Sequence, residues 1–208
     1  MTERLIGIKG SMFSGKTDEL IRLVNREEIA GRIVQVFKPI VDDRWGLTEK
    51  IRSHAGSEHD ATLVHSSLEI LGLLNEDSQI VAIDEIQFFD EHIVDVVSEL
   101  LDRDIKVMFA GLPEDFRGEP FGPVPLLLSK SDDIVTLTAI CTHKENGEIC
   151  GQEATKTQRF IDGQPANYKD PVILVGAEEL YAARCPTHHV VPGKPERKLA
   201  STQHAQKN

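Results

Sequence analysis

The chain has 208 residues, 40% hydrophobic and 27% charged, which suits a soluble globular protein of one domain, or one domain with a small appendage. Its formal net charge of −11 and pI near 5.2 argue against DNA or RNA as a partner, because polyanion binding draws its affinity from Lys and Arg. No apolar run approaches the ~20 residues of a membrane span, and MTERLIGIKG does not read as a signal peptide, so a cytoplasmic location without a membrane partner is expected.

In chain order, RLIGIK (4–9) predicts a short strand running into a Gly-rich loop. In the next segment, Leu20, Ile21, Val24 and Ile29 fall near helical spacing, with Gly31 as a C-cap. IVQVFKP (33–39) predicts a strand closed by Pro39. The stretch 41–60 is polar and rich in turn formers, and is expected to be a long functional or mobile connection. A helix is predicted over 67–75, a buried strand over 79–85, an amphipathic helix over 91–102 and an apolar strand over 105–111. Strands alternating with helices imply an α/β fold, a parallel sheet covered on both faces. The alternation weakens near residue 140, where cysteines and short β-like runs such as PVILVG (171–176) begin. The expected division is a nucleotide-binding domain over 1–140, a metal-bearing module over 141–191 and a disordered polar tail over 192–208.

Gly10, Ser11, Met12, Phe13, Ser14, Gly15, Lys16 and Thr17 satisfy G-x-x-x-x-G-K-[ST], with the strand before and the helix after that the motif requires. The glycines let the backbone curl so that its N–H groups face an anion. Lys16 would reach the β- and γ-phosphates, Thr17 would offer its hydroxyl to Mg²⁺, and the helix N-terminus adds partial positive charge. A Gly-rich turn that binds nothing is the bland alternative, and the complete motif in context outweighs it. Asp84, ending a buried strand, would hold Mg²⁺ through a water. Glu85 beside it either caps the strand in solvent or acts on the nucleophile, and the second reading is favoured. Asn167-Tyr-Lys-Asp170 has the wrong order for a guanine-reading N-K-x-D box, which disfavours a GTP switch.

In a reducing compartment three cysteines read as free thiols or metal ligands, not as a disulfide framework. Cys141 and Cys150 flank a charged turn, and Cys185-Pro-Thr-His188 supplies a C-x-x-H pair about 35 residues on. Together they could place four ligands around structural Zn²⁺. His188 has the standard spacing, with His189 and His143 as rivals.

GSMFSGKT, FKPIVDDRW (37–45), DEIQFFD (84–90), GLPEDFRGEPFG (111–122), TKTQR (155–159), ILVGAEELY (173–181) and CPTH, in this order and spacing, resemble the cellular-type (type II) thymidine kinases. The resemblance runs from about Leu5 to His189. It implies a RecA-like parallel sheet with a small zinc-bearing lid domain, and transfer of the ATP γ-phosphate to the 5′-hydroxyl of thymidine. It implies that Glu85 accepts the proton, with Gln87 and Phe88 following at the nucleoside end; Gln87 and Arg159 count among the ATP contacts. Leu112 and Phe116 would wall the thymine beside Met12, with Thr157 at the pocket floor. The backbone of Ile173, Leu174, Val175 and Gly176 would hydrogen-bond the base, and Tyr181 would contact the nucleoside. Arg159, Arg44 and Arg117 are candidates to neutralise the transferring phosphoryl group. The resemblance also implies a homotetramer, or a homodimer in some members, and thymidine triphosphate as feedback inhibitor.

The chain departs from the family pattern in its C-x8-C spacing, in Pro113 where Asp is usual, and in Ala177 where a second Gly is frequent. Two other readings compete: a different nucleoside or nucleotide kinase with a zinc lid, and a nucleotide switch or zinc interaction module without kinase activity.

Overall fold

The computed structural model describes residues 4–40, 49–173 and 180–196. In its first part the chain runs through β1 (Leu5–Lys9), α1 (Lys16–Ile29), β2 (Val34–Pro39), β3 (Lys50–Arg52), β4 (Glu58–Asp60), β5 (Thr62–Val64) and α2 (Ser67–Gly72). There follow β6 (Ile80–Ile83), α3 (Ile93–Asp102), β7 (Lys106–Gly111), α4 (Val124–Lys130) and β8 (Asp133–Thr136). Among the described residues these strands form one six-stranded parallel sheet in the order β5-β2-β6-β7-β1-β8, with β3 and β4 as a separate antiparallel hairpin.

Alternation along the strands builds two cores. Leu5, Phe37, Val81, Ile83, Val107 and Phe109 point to the face covered by α2, α3 and α4. Ile6, Ile8, Val36, Ile80, Ala82, Met108 and Ala110 point to the opposite face, under Leu20, Ile21 and Val24 of α1. Small residues on that second face let a single helix lie close. A sheet apolar on both faces must be covered on both, the α/β arrangement read from the sequence.

The remaining chain forms small antiparallel sheets. These are β9 (Ala139–Ile140) with β12 (Glu153–Ala154), β10 (Lys144–Glu145) with β11 (Glu148–Ile149), and β14 (Gln164–Pro165), β13 (Lys156–Ile161) and β15 (Tyr181–Arg184) in one three-stranded sheet. Among the described residues no helix is long and apolar enough to cross a membrane.

The structure departs from the sequence expectations in several places. Half of the expected long connection is the β3–β4 hairpin; residues 41–48 lie outside the described residues. The polar stretch after Arg159 turns back as the β13–β14 hairpin through Asp162 (φ 51°) and Gly163 (φ 74°), a D-G turn. Helix α4 has no counterpart among the predicted elements; Pro123 and Pro125 sit at its start, where a missing N–H costs nothing. The edge strands β5 and β8 carry mixed burial and so lack a clear period. Pro192 to Lys194, the start of the expected tail, contact the body, and residues 197–208 lie outside the described residues.

Candidate active site

Strand β1 ends where the chain must curl, and Gly10 permits it: a Cβ there would stand 2.3 Å from Ser14 Oγ and 2.6 Å from the Leu137 carbonyl oxygen. At the other end of the loop Gly15 takes φ 82°, which only glycine adopts freely. Lys16 is almost fully buried and spans the loop, its Nζ donating to the Ser11 carbonyl at 2.9 Å. Ser14 Oγ is buried with no hydrogen-bond partner among the described residues. A curled backbone, a buried ammonium and an unpartnered hydroxyl are together the donor set an anion of phosphate size satisfies.

Thr17 Oγ1 donates to Asp84 Oδ2 at 3.0 Å, bringing the loop to the carboxyl end of β6. A hydroxyl and a carboxylate in contact, with an anion site alongside, form an all-oxygen donor set that suits Mg²⁺. Asp84 Oδ1 accepts from the Glu85 N–H at 3.0 Å. Glu85 itself is buried and sits in the left-handed region at φ 47°, ψ 42°. A non-glycine residue held there stores backbone strain, a common companion of function. Glu85 lines one pocket with Met12, Lys16, Thr17 and Leu112.

The expected nucleoside wall is partly assembled: Met12 and Leu112 share a hydrophobic cluster with Phe88 and Tyr181. The structure adds two members that sequence reasoning missed, Phe121 and Val172. Phe121 meets Phe88 edge to face, ring centroids 5.8 Å apart. Nothing local in the sequence marks Phe121, which reaches the wall only through the fold. Thr157 Oγ1 accepts from the Met12 N–H at 3.0 Å, so this expected floor residue braces the phosphate loop. Ser11 Oγ donates to the Ala154 carbonyl at 2.9 Å, a second tie between that loop and the C-terminal strands. Ile173 is half exposed, and Leu174, Val175 and Gly176 lie outside the described residues.

The arginine candidates separate. The Arg159 guanidinium is buried over the Phe116 ring, 4.8 Å from its centroid, and donates to the Pro171 carbonyl. Arg117 pairs with Asp115 at 2.7 Å, and that hydrogen bond pushes the Arg117 pKa up. Arg44 lies outside the described residues. Arg52, Ser53 and His54, from the end of β3 and the turn after it, line the phosphate-loop pocket, with the His54 ring 5.1 Å from that of Phe13. These three were read as part of a polar loop; a β-turn pattern in SHAG was the available signal.

Cys141, Cys150, Cys185 and His188 bring their ligand atoms within 4.8 Å of one another. The separations are 3.7 Å for Cys141 Sγ to His188 Nδ1, 3.4 Å for Cys185 Sγ to the same nitrogen, and 4.0 Å between the sulfurs of Cys150 and Cys185. A tetrahedron with arms of about 2.0–2.3 Å has edges of about 3.3–3.8 Å, and these separations lie in or just above that range, so the four residues suit Zn²⁺. The wide C-x8-C spacing is explained by the β10–β11 hairpin, which turns through Asn146 (φ 52°) and Gly147 (φ 89°) and returns Cys150 to Cys141.

The rival histidines have other places. The ring of His143 stacks on that of His188 at 4.2 Å. His189 Nε2 lies 2.8 Å from the Phe116 carbonyl oxygen. Burial pushes its pKa down, while the hydrogen bond to that carbonyl partly opposes the shift. Next along the chain, the Val190 N–H donates to Gln158 Oε1 at 2.8 Å, and Lys194 donates to the Arg117 carbonyl and pairs with Glu119 at 3.1 Å. The segment 189–194 thus fastens the zinc-type module onto the loop that carries Phe116. The family model described as thymidine kinase matches residues 4–189, spanning every element of this site.

Proposed function

The chain belongs to the thymidine kinase family, and from that premise we propose that it transfers the γ-phosphoryl group of ATP to the 5′-hydroxyl of thymidine, giving thymidine monophosphate and ADP. The observation that carries this reading is the buried Glu85, adjacent to Asp84, opening on a pocket shared by Lys16 and the wall residues Met12 and Leu112.

In this reading the amides from Gly10 to Thr17 and the Lys16 ammonium grip the donor phosphates. Thr17 and Asp84 would hold Mg²⁺, which would supply charge neutralisation at the phosphates. Met12, Phe88, Leu112, Phe121 and Tyr181 hold the nucleoside and exclude water, and Phe116 is the second thymine wall, held from behind by Arg159. The peptide groups from Ile173 to Gly176 read the pyrimidine edge, which main-chain donors and acceptors can match without a charged side chain. Glu85 accepts the 5′-hydroxyl proton as the oxygen attacks phosphorus in line and ADP leaves. Cys141, Cys150, Cys185 and His188 would hold structural Zn²⁺, which would stabilise the module over 141–191 as a lid beside the nucleotide-binding domain over 1–140. Thymidine triphosphate fits as a feedback inhibitor, with its base in the thymidine pocket and its phosphates in the donor loop. A homotetramer in the cytoplasm, serving deoxynucleoside salvage for DNA synthesis, completes the proposal.

Turnover with ATP across a panel of nucleosides and nucleoside monophosphates tests it. Thymidine is expected to be the preferred acceptor. Turnover restricted to monophosphates, or ATP hydrolysis without nucleoside phosphorylation, would overturn it.

A further inference from the structure

The acid pair and the nucleoside wall meet at one side chain. Gln87 is only 3% exposed, and both ends of its amide are engaged. Its Oε1 accepts from the Leu112 N–H at 3.0 Å, and its Nε2 donates to Glu85 Oε2. The orientation is dictated by chemistry: a backbone N–H only donates and an ionised carboxylate only accepts, so the amide cannot be reversed. The fold keeps room for this arrangement. At Gly111 a Cβ would stand 2.9 Å from Gln87 Oε1 and 2.8 Å from Ile86 Cγ2. At Gly122, in the left-handed region at φ 50°, it would stand 2.8 Å from the Gln87 carbonyl oxygen.

We propose that Gln87 is a positioning residue that holds the Glu85 carboxylate as the base and ties its orientation to the nucleoside wall at Leu112. The proposal rests on the reading of Glu85 as proton acceptor. The amide N–H fixes the direction of one carboxylate oxygen, and with it the orientation of the whole group. Leu112 contributes its side chain to the wall and its backbone N–H to Gln87, so displacing the wall loosens the base. A poorly fitting nucleoside is therefore penalised in kcat as well as in KM.

The test compares kcat for thymidine in wild type, Glu85→Gln, Gln87→Glu and Gln87→Leu, and in each Gln87 variant combined with Glu85→Gln, with Tm measured in parallel. Gln87→Glu keeps the acceptor for Leu112 but replaces the amide donor with a second carboxylate facing Glu85. Both Gln87 variants should lower kcat about tenfold or more, a share of the 10²–10⁴ that a general base contributes. In the Glu85→Gln background neither should lower kcat further, because the base they position is already gone.

If both Gln87 variants lower only Tm with kcat intact, or lower kcat as much in the Glu85→Gln background as in wild type, Gln87 is a structural residue and the proposal fails. Should Gln87→Leu not fold, Gln87→Glu in the two backgrounds decides alone. A Glu85→Gln variant with wild-type kcat would overturn the base assignment, and this inference with it. Loss of kcat in Glu85→Gln beside unmoved Gln87 variants would overturn this inference only.

Discussion

Glu85 occupies a conformation that side chains disfavour, at a cost of order 1–3 kcal/mol, and it is held there by the strand end and by hydrogen bonds to its neighbours. Such strain persists where geometry matters more than stability. Glu85→Gln keeps size and hydrogen bonding while removing the basic oxygen, so kcat should fall by roughly 10²–10⁴-fold with thymidine and ATP binding near normal. Steady-state kinetics and ligand titrations check this. Lys16→Ala should instead abolish the phosphate grip and show as weak ATP binding. A third residue-scale prediction concerns Thr157, whose hydroxyl accepts from the Met12 N–H. Thr157→Val is nearly isosteric but leaves a buried N–H unpaired, at about 1–3 kcal/mol. Thermal unfolding should register the loss, and KM for ATP should rise because the loop's own backbone has lost its brace.

Among the elements, the hairpin between Cys141 and Cys150 does the most with the least sequence. Two-residue strands have little stability alone, so the turn chemistry and the metal must close it. The freshly purified protein should contain about one Zn²⁺ per chain by elemental analysis. Cys185→Ala should lose that metal and lower Tm, since metal-binding free energy is folding free energy in so small a module. Gly147→Val, at φ 89°, should cost about 1–2 kcal/mol and weaken metal retention while leaving the four ligands in place.

The same elements show what was legible. Strands β1, β2, β6 and β7 were readable because burial on both faces gives continuous apolar runs, and the phosphate loop because its chemistry demands a fixed spacing. The Asn146-Gly147 and Asp162-Gly163 turns were also present as signals, but flanking strands this short and polar have no period to support them. At the site, Asp84, Glu85 and the four metal ligands announced themselves by residue type. Phe121 and His189 did not, since their roles exist only through partners distant in the chain.

For the whole molecule, acid stability should trace to carboxylates that the fold holds ionised. Burial pushes Asp90 up, but the Ser67 N–H and hydroxyl and the His92 N–H outweigh it and leave its pKa below the ordinary value. A lowered folded pKa means that the unfolded chain takes up the proton first. The contribution is therefore complete above the unfolded value of about 3.9 and is lost as pH falls through the folded one. Asp90→Asn should flatten the dependence of Tm on pH below about pH 4, and melts across that range would show it. The strap over 189–194 carries a different consequence. Phe116 is held by His189, 73 residues later, and the Arg117 carbonyl by Lys194, 77 residues later. Residues 189–194 leave the ribosome after every strand of the six-stranded sheet. On the proposed function, the sheet and phosphate loop can then form and take up nucleotide while the loop that carries Phe116 is still unfastened. On that reading, competence to bind ATP precedes competence to accept a nucleoside, in the order in which the ribosome releases the chain.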